Sequence, residues 1–543
     1  MNLNTNLTEE QNYIYKKLVK FVKSNNKNRE ILLTGYAGTG KTTLIAKFIN
    51  DLIKTKICQK IVMVAPTHKA VNIAKSKLYT NLKNSEDYEE LKKIINIMTI
   101  HRLLNYQSYI DHKGEKFFAK GKVKSNWSIY DLIIVDECSM LSNQIITDIQ
   151  EQLFYESNLN IKIIYVGDPA QLPPVNQSES KIFNSSIKIL TLEKIIRTSN
   201  NNITELCNSH RKWIFSKNLE EMPHIENFVC NSIKLFSFKN NETNKWLDHY
   251  IQLLNIKNVE NNNNNINYNT IIENFNNNII LTWTNKKLNI YNQYIREKIF
   301  NKKNLEYFEI GEILIFNNFH KIEILNNESI NELKNNLICF YTSEHIKLIE
   351  INKIKYKFDF LKFKINNNLT PELNKKFKKY YNAINELLYD EIDIFELKIQ
   401  KIIDIENKLK NISNYIILSI CPESEKKYKE INNEIENIIN KLKTSCYKII
   451  NKIKQDTMYK YDLQIEIEKN TNNLYKEYQI KIIDCFAQLN YGYCITVHKS
   501  QGSTFKNVFI DVNDIFDNKN LNETLKCLYT SLTRSSETLK LLI

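Results

Sequence analysis

The sequence predicts an α/β protein built on two parallel sheets with helices on their faces. Three observations predict it. Short β-branched runs alternate with helical patterns through the first third of the chain. A glycine-rich loop joins one of these runs to the helix after it. The same strand–helix alternation returns near residue 278 and again towards residue 543.

In the first third, residues 30–34 (EILLT), 60–65 (KIVMVA), 131–135 (DLIIV) and 161–166 (IKIIYV) read as strands, each ending at a polar or glycine-bearing turn. Helical patterns follow at 41–54, 68–79 and 142–154. This order predicts a parallel sheet with ligands at the C-terminal ends of its strands. The polar stretch 255–278, with an Asn run at 261–265, reads as a linker or surface loop. A second unit begins with a strand at 278–283 and a helix at 285–299. It is interrupted near 300 and resumes near 486, with a strand at 507–512, a helix at 520–531 and a strand at 538–543.

The interruption has two textures. Residues 307–360 carry short β patterns, and 371–454 read as helical. Ile431, Ile435, Ile438, Leu442, Ile449 and Ile453 fall at coiled-coil steps. Cys421-Pro422 is expected to break the helical run and give a long hairpin. The expected division is a first domain at 1–200 with an inserted hairpin at 105–127, and a connecting helical, Asn-rich segment at 201–278. A second domain follows at 279–300 plus 486–543, interrupted by the insertion 301–485. Within the insertion the β module spans about 305–365 and the helices about 371–460.

Composition sets the broad class. With 543 residues, 42% hydrophobic and 25% charged, the chain reads as a soluble globular protein of several domains. The net charge of +14 favours a polyanionic partner. Asn, Ile and Lys are over-used together and share A/T-rich codons, so part of that charge reflects base composition. Ten cysteines without CxxC or Cys/His spacing argue against disulfide staples and structural zinc, and for a reducing compartment. The N-terminus, MNLNTNLTEEQ, is neither a signal nor a transit peptide, and no apolar run is long enough for a membrane span. An intracellular, soluble protein of cytoplasm or nucleus, without membrane association, is expected.

The chemistry is concentrated in three places. Gly35, Tyr36, Ala37, Gly38, Thr39, Gly40, Lys41 and Thr42, with Thr43 after them, match GxxxxGK[ST] between a strand and a helix. Glycines let backbone N–H groups turn around phosphates, Lys41 reaches the β and γ oxygens, and Thr42 ligates Mg²⁺. Leu132–Val135 leads into Asp136 and Glu137. Asp136 is expected to hold Mg²⁺ through water, and Glu137 to orient and deprotonate the attacking water. GDPAQLPPV at 167–175 holds three of the chain's seven prolines, a fixed backbone that presents Gln171 to a γ-phosphate. ATP and Mg²⁺ are the cofactors this set implies.

The strings GYAGTGKTT, APTHKAV, TIHRLL, VDECSM, GDPAQLPPV, TVHKSQGSTF and YTSLTRS occur in the order found in superfamily-1 helicases. The chain resembles the RecD/Dda type, with a UvrD-like C-terminal motor half. That resemblance implies two RecA-like P-loop NTPase domains, with a small SH3-like β module and a long helical hairpin inserted in the second. It implies an ATP-dependent DNA helicase moving 5′→3′ on single strands, and motors of this kind serve replication, repair and recombination. Gln11 resembles the adenine-reading glutamine. Arg197 and Arg534 resemble the arginines that reach the γ-phosphate, and Gln501 and Gly502 belong to the nucleotide side of their motif. Thr67, His68, Thr99, His101, Asn285, Thr496 and His498 match positions lining the strand channel. Single-stranded DNA and its junctions with duplex are the implied partners, with the helical insertion available to a protein.

Residues 105–127 also read as a hairpin, 106–110 and 116–119 around a turn at 111–114, with Phe117 and Phe118 adjacent. The family carries a strand-separating pin there. The alternatives are an RNA helicase of the Upf type and a DNA-binding ATPase switch without unwinding. GDPAQLPPV and TVHKSQGST look like DNA helicases of the RecD/Dda and Pif types. Pro-Ala in GDPAQ and the Tyr-Gly-Tyr before ITVHKS favour RecD/Dda. Lys41, Asp136, Glu137, Gln171, Arg197 and Arg534 together argue against an inactive switch.

Overall fold

A computed structural model describes residues 7–24, 28–82, 93–110, 116–120, 127–156, 160–174, 176–196, 201–216, 223–254, 274–324, 336–401, 414–453 and 457–543. Two compact bodies are present. One comprises 1–107, 120–305 and 492–543, and the other 108–119 and 306–491.

The first body contains two parallel sheets. One has six strands in the order Ile95–Thr99, Ile61–Ala65, Leu132–Val135, Lys162–Gly167, Glu30–Gly35, Lys188–Leu192. Its inner strands are buried on both sides, which is why they read as continuous β-branched runs. Alternation splits them between two cores. Leu132 and Ile134 face the helix Lys41–Lys54, while Ile133 and Val135 pack with Ile146 and Ile149 on the other face. The two edge strands, INIMT and KILTL, were not among the expected strands. They are short and half-covered, so their patterns do not stand out.

The second sheet has five strands in the order Cys494–Thr496, Asn278–Thr282, Phe505–Asp511, Ser535–Leu542, Ile233–Phe236. Residues 201–278, expected as a connecting helical segment, hold the helices Asn201–Ser216 and Thr243–Leu254 and also supply an edge strand to this sheet. The four-residue strand IKLF is too short to announce itself. Trp246, Leu247, Tyr250 and Leu254 form the buried stripe of the helix beside it. Most of the polar stretch, residues 255–273, lies outside the described residues.

In the second body, an antiparallel sheet runs Asn414–Ile420, Ile392–Lys401, His345–Tyr356, Ile313–Phe316, Leu489–Tyr491. The β module thus extends well past residue 365, and two of its strands divide what was expected to be a helical hairpin. IDIFELKIQK and NYIILSI carry the β-branched and apolar pattern of strands, outweighed in the reading by the helical texture around them. Cys421-Pro422 does not break a helix. Cys421 is the N-cap and Pro422 the first turn of Pro422–Lys452, where a missing N–H costs nothing. The seam Ile431, Ile435, Ile438, Leu442 and Ile449 is buried against Phe377, Ile384, Leu463 and Ile467, with Ile453 partly covered at the helix end. Strands Tyr106–Ile110 and Lys116–Lys120 pair as a two-stranded sheet, while the turn between them lies outside the described residues. Among the described residues no helix is long and apolar enough to cross a membrane.

Candidate active site

The strand Glu30–Gly35 delivers the glycine-rich loop, and the helix Lys41–Lys54 starts on its last glycine. Gly40 is left-handed (φ +77°), and a Cβ there would lie 2.7 Å from Gln11 Nε2 and from Ile196 Cδ1. Only glycine fits that cradle. Lys41 Nζ donates to the carbonyls of Gly35 (2.8 Å) and Tyr36 (3.0 Å), folded back on its own loop. Gln11 is buried, its Nε2 on the Thr39 carbonyl (3.0 Å) and its Oε1 capping Thr8 N–H (3.1 Å). It supports the loop from outside the cavity lining. Tyr36 and Thr39 are also turned to structural contacts. Thr39 Oγ1 donates to the Tyr36 carbonyl (3.0 Å), and the Tyr36 ring lies 4.2 Å from the Arg211 guanidinium.

The strand Leu132–Val135 ends in the two carboxylates. Asp136 N–H donates to the Val64 carbonyl (2.8 Å), and Asp136 Oδ1 accepts the Glu137 N–H (2.9 Å). Burial, then the charge of Glu137, pushes the Asp136 carboxyl up to about 6, with Lys77 and Lys41 opposing. Glu137 is left-handed (φ +51°), a strained conformation for a side-chain-bearing residue. The neighbouring strand Lys162–Gly167 leads to Gln171, which is 5% exposed with an Oε1 lacking any partner among the described residues. Gln171 also lines the cavity described below.

The second sheet completes the cavity. Gly502 is left-handed (φ +76°), and a Cβ on it would lie 3.9 Å from Glu137 Oε1. Arg534, expected on the last helix, lies just beyond the Thr533 C-cap of Leu521–Leu532, 1% exposed. Its Nε donates to the Thr530 carbonyl (3.0 Å), Nη1 to the Ser503 carbonyl (3.2 Å) and Nη2 to Thr533 Oγ1 (3.1 Å). The resulting cavity of about 340 Å³ is lined by Ala37, Gly38, Gly40, Lys41, Thr42, Thr43, Asp136, Glu137 and Gln171 from the first sheet, and by Gly502, Thr504 and Arg534 from the second. Lys77 and Ile196 also line it. Sequence reading missed Lys77, Ile196 and Thr504. Thr504 sits inside TVHKSQGSTF and Ile196 directly before Arg197, so both were within reach, whereas Lys77 carries no motif signal. Gln501 is buried with both amide atoms unpartnered among the described residues, next to the lining rather than in it. Arg197 lies outside the described residues.

The residues expected to line a strand channel fall into two groups. Ala65 and Thr99 are register partners on adjacent parallel strands, so Thr67-His68 and Thr99–His101 emerge side by side at one sheet edge. Thr282 and Thr496 are register partners likewise, bringing Asn285 and the pair Thr496 and His498 to the matching edge of the second sheet. Thr67 and Thr99 also cap helices, accepting from Ala70 N–H (3.1 Å) and Arg102 N–H (3.3 Å). Burial, then the charges of His101, Lys75 and Arg102, lowers the His68 pKa, and burial lowers those of His101 and His498. All three rings are therefore held neutral near pH 7. Phe117 and Phe118 lie in the strand Lys116–Lys120.

A glycine cradle, a lysine at a helix start, an unpaired buried acceptor and an arginine reaching in from a second parallel sheet fit a nucleoside triphosphate between two RecA-like domains. That is the class: a P-loop NTPase motor. Comparison with known proteins narrows it. The AAA domain family matches residues 19–177, and the UvrD-like helicase C-terminal domain matches residues 491–542. Uncharacterized protein R530 of Acanthamoeba polyphaga mimivirus is 31% identical over 97% of this chain and 98% of its own length. RecBCD enzyme subunit RecD of Buchnera aphidicola subsp. Schizaphis graminum is 27% identical over 95% of this chain and 70% of its own. The solved Pif1 helicase from Bacteroides in complex with ADP-AlF3 and ssDNA is 15% identical, covering 98% of this chain and 92% of that one, with a TM-score of 0.41. The chain belongs to one family with that mimivirus protein and is a superfamily-1 DNA helicase of the RecD type, which hydrolyses ATP.

Proposed function

We propose that this chain moves 5′→3′ along single-stranded DNA and opens duplex ahead of it, driven by ATP hydrolysis in the shared cavity. The observation that carries the reading is that Arg534 of the second sheet lines the same cavity as Lys41, Asp136 and Glu137 of the first. A reaction there requires both sheets to be in place, so the cycle of binding and release can change their separation.

Each side chain then has a task. Lys41 leaves the carbonyls of its loop for the β and γ oxygens. Thr42 and Asp136 are the residues to hold Mg²⁺, which neutralises phosphate charge when bound. Glu137 orients the attacking water and takes its proton, with its carboxylate fixed by the left-handed backbone beneath it. Gln171 offers its free acceptor to that water or its amide to the γ-phosphate, and Arg534 neutralises charge on the equatorial oxygens. Arg197 is assigned the companion role by motif alone, and Gln501 by its position beside Gly502.

Thr67, His68, Thr99, His101, Asn285, Thr496 and His498 form the strand-binding edges. Hydroxyls, amides and neutral imidazoles bind phosphate and base faces without reading sequence. Alternating grip by the two edges moves the strand. The 5′→3′ sense rests on the likeness to RecD-type sequences. It is tested with duplexes carrying a single-stranded tail on one end only: 5′-tailed substrates should be unwound and 3′-tailed ones left intact. Unwinding confined to 3′ tails would reject the polarity while leaving the ATP site untouched.

A further inference from the structure

One face of the helix Leu521–Leu532 lies along the loops of the first sheet. Asn522 Nδ2 and Lys526 Nζ donate to the Ser178 carbonyl (3.3 and 3.4 Å), and Thr530 Oγ1 accepts the Leu172 N–H (3.2 Å). Tyr529 sits between them. These positions follow the i, i+4, i+7, i+8 spacing of a single helix face, which ends where Arg534 enters the cavity.

The Tyr529 hydroxyl is saturated. It donates to Asp168 Oδ2 (3.1 Å) and accepts from the Ala37 N–H of the phosphate loop (3.3 Å) and from Arg211 Nη1 (3.3 Å). Asp168 is 1% exposed, pairs with Arg211 through Oδ1, and takes the Ala170 N–H (3.0 Å) on the same oxygen. Arg211 stacks on Tyr36 of the loop. Burial, and then the charge of Asp168, holds the phenol well above its ordinary pKa, so it stays a donor. A buried charged pair of this kind is costly unless every partner is present.

We propose that Tyr529 is a positioning residue: held by Asp168 and Arg211 and tied to the Ala37 amide, its hydroxyl fixes where the helix Leu521–Leu532 delivers Arg534. The phosphate loop and the arginine from the other sheet are then linked by one hydroxyl group. When the loop shifts around phosphates, the Ala37 amide moves, and the helix that carries Arg534 is drawn with it. The proposal rests on Arg534 acting at the cavity.

The test is a double-mutant cycle of Tyr529→Phe and Arg534→Lys, reading kcat and KM for ATP at saturating single-stranded DNA, with thermal unfolding alongside. Tyr529→Phe removes one oxygen and should lower kcat about tenfold to a hundredfold, as small displacements of a catalytic group do, with KM nearly unchanged. In the Arg534→Lys background the same change should cost nothing further, because it acts through the arginine. Independent, multiplicative losses would overturn the positioning role while leaving Arg534 in place. No loss in Arg534→Lys itself would overturn both readings. If Tyr529→Phe fails to fold, Arg211→Lys, which keeps the charge beside Asp168 but loses the planar fork, takes its place in the cycle with the same two outcomes.

Discussion

Gly167 packs against Cys138 with no room for a side chain: a Cβ there would come 2.6 Å from Cys138 Sγ and 3.3 Å from Cys138 N. The contact holds the turn Cys138–Met140 immediately after Glu137, whose backbone is left-handed and whose side chain lines the cavity. Gly167→Ala should therefore shift the catalytic turn. We expect kcat for ATP hydrolysis to fall by about a hundredfold, out of proportion to a stability loss of roughly 1–3 kcal/mol from overpacking. Ile164→Val, a core change in the same strand, supplies the comparison for stability loss alone. Equal turnover in the two variants would remove the positioning role from Gly167.

Lys41 and Glu137 separate binding from chemistry. Lys41→Ala deletes the phosphate-directed cation and should abolish turnover. Glu137→Gln keeps the shape and should leave nucleotide binding nearly intact while hydrolysis collapses. Binding of a fluorescent nucleotide beside steady-state ATPase measures both. Wild-type turnover in Glu137→Gln would show that another group activates the water.

Arg534→Lys retains the charge and loses the planar fork that donates to the Thr530 and Ser503 carbonyls. Turnover should drop by about a thousandfold or more, as for other arginine fingers, with a much smaller change in nucleotide affinity. Normal ATPase with weakened DNA binding would instead put this residue on the strand.

What was legible in the sequence follows from burial and from motif density. The inner strands of the first sheet are covered on both faces, so their residues had to be uniformly apolar and the pattern could be read. Gly40 could be found because it falls in the GxxxxGK[ST] spacing, and its left-handed, crowded backbone admits only glycine. The strands Ile233–Phe236, Ile392–Lys401 and Asn414–Ile420 were not found, because each is short or embedded in helical texture. Lys77 and Arg211 were invisible for a different reason. Each reaches its partner from the side of a helix, and the distance that matters, Arg211 to Asp168 across 43 positions, is a property of the fold alone.

The hairpin Tyr106–Ile110 and Lys116–Lys120 is proposed to separate the strands. Successive positions of a strand alternate between its two faces, so the proposal needs only one of the neighbours Phe117 and Phe118. One of them can stack on the last exposed base, worth roughly 1–3 kcal/mol. Of Phe117→Ala and Phe118→Ala, one should keep DNA-stimulated ATPase near normal and lose duplex unwinding. Parallel loss of both activities, or no loss in either variant, would reject the pin.

The most direct measurement of the central claim is steady-state ATPase of the intact protein alone, with single-stranded DNA homopolymers, and with RNA homopolymers. A motor whose cavity is completed by Arg534 from a second, strand-gripping sheet should hydrolyse ATP slowly alone, and many-fold faster with DNA than with RNA. Hydrolysis equally fast with and without DNA would contradict it.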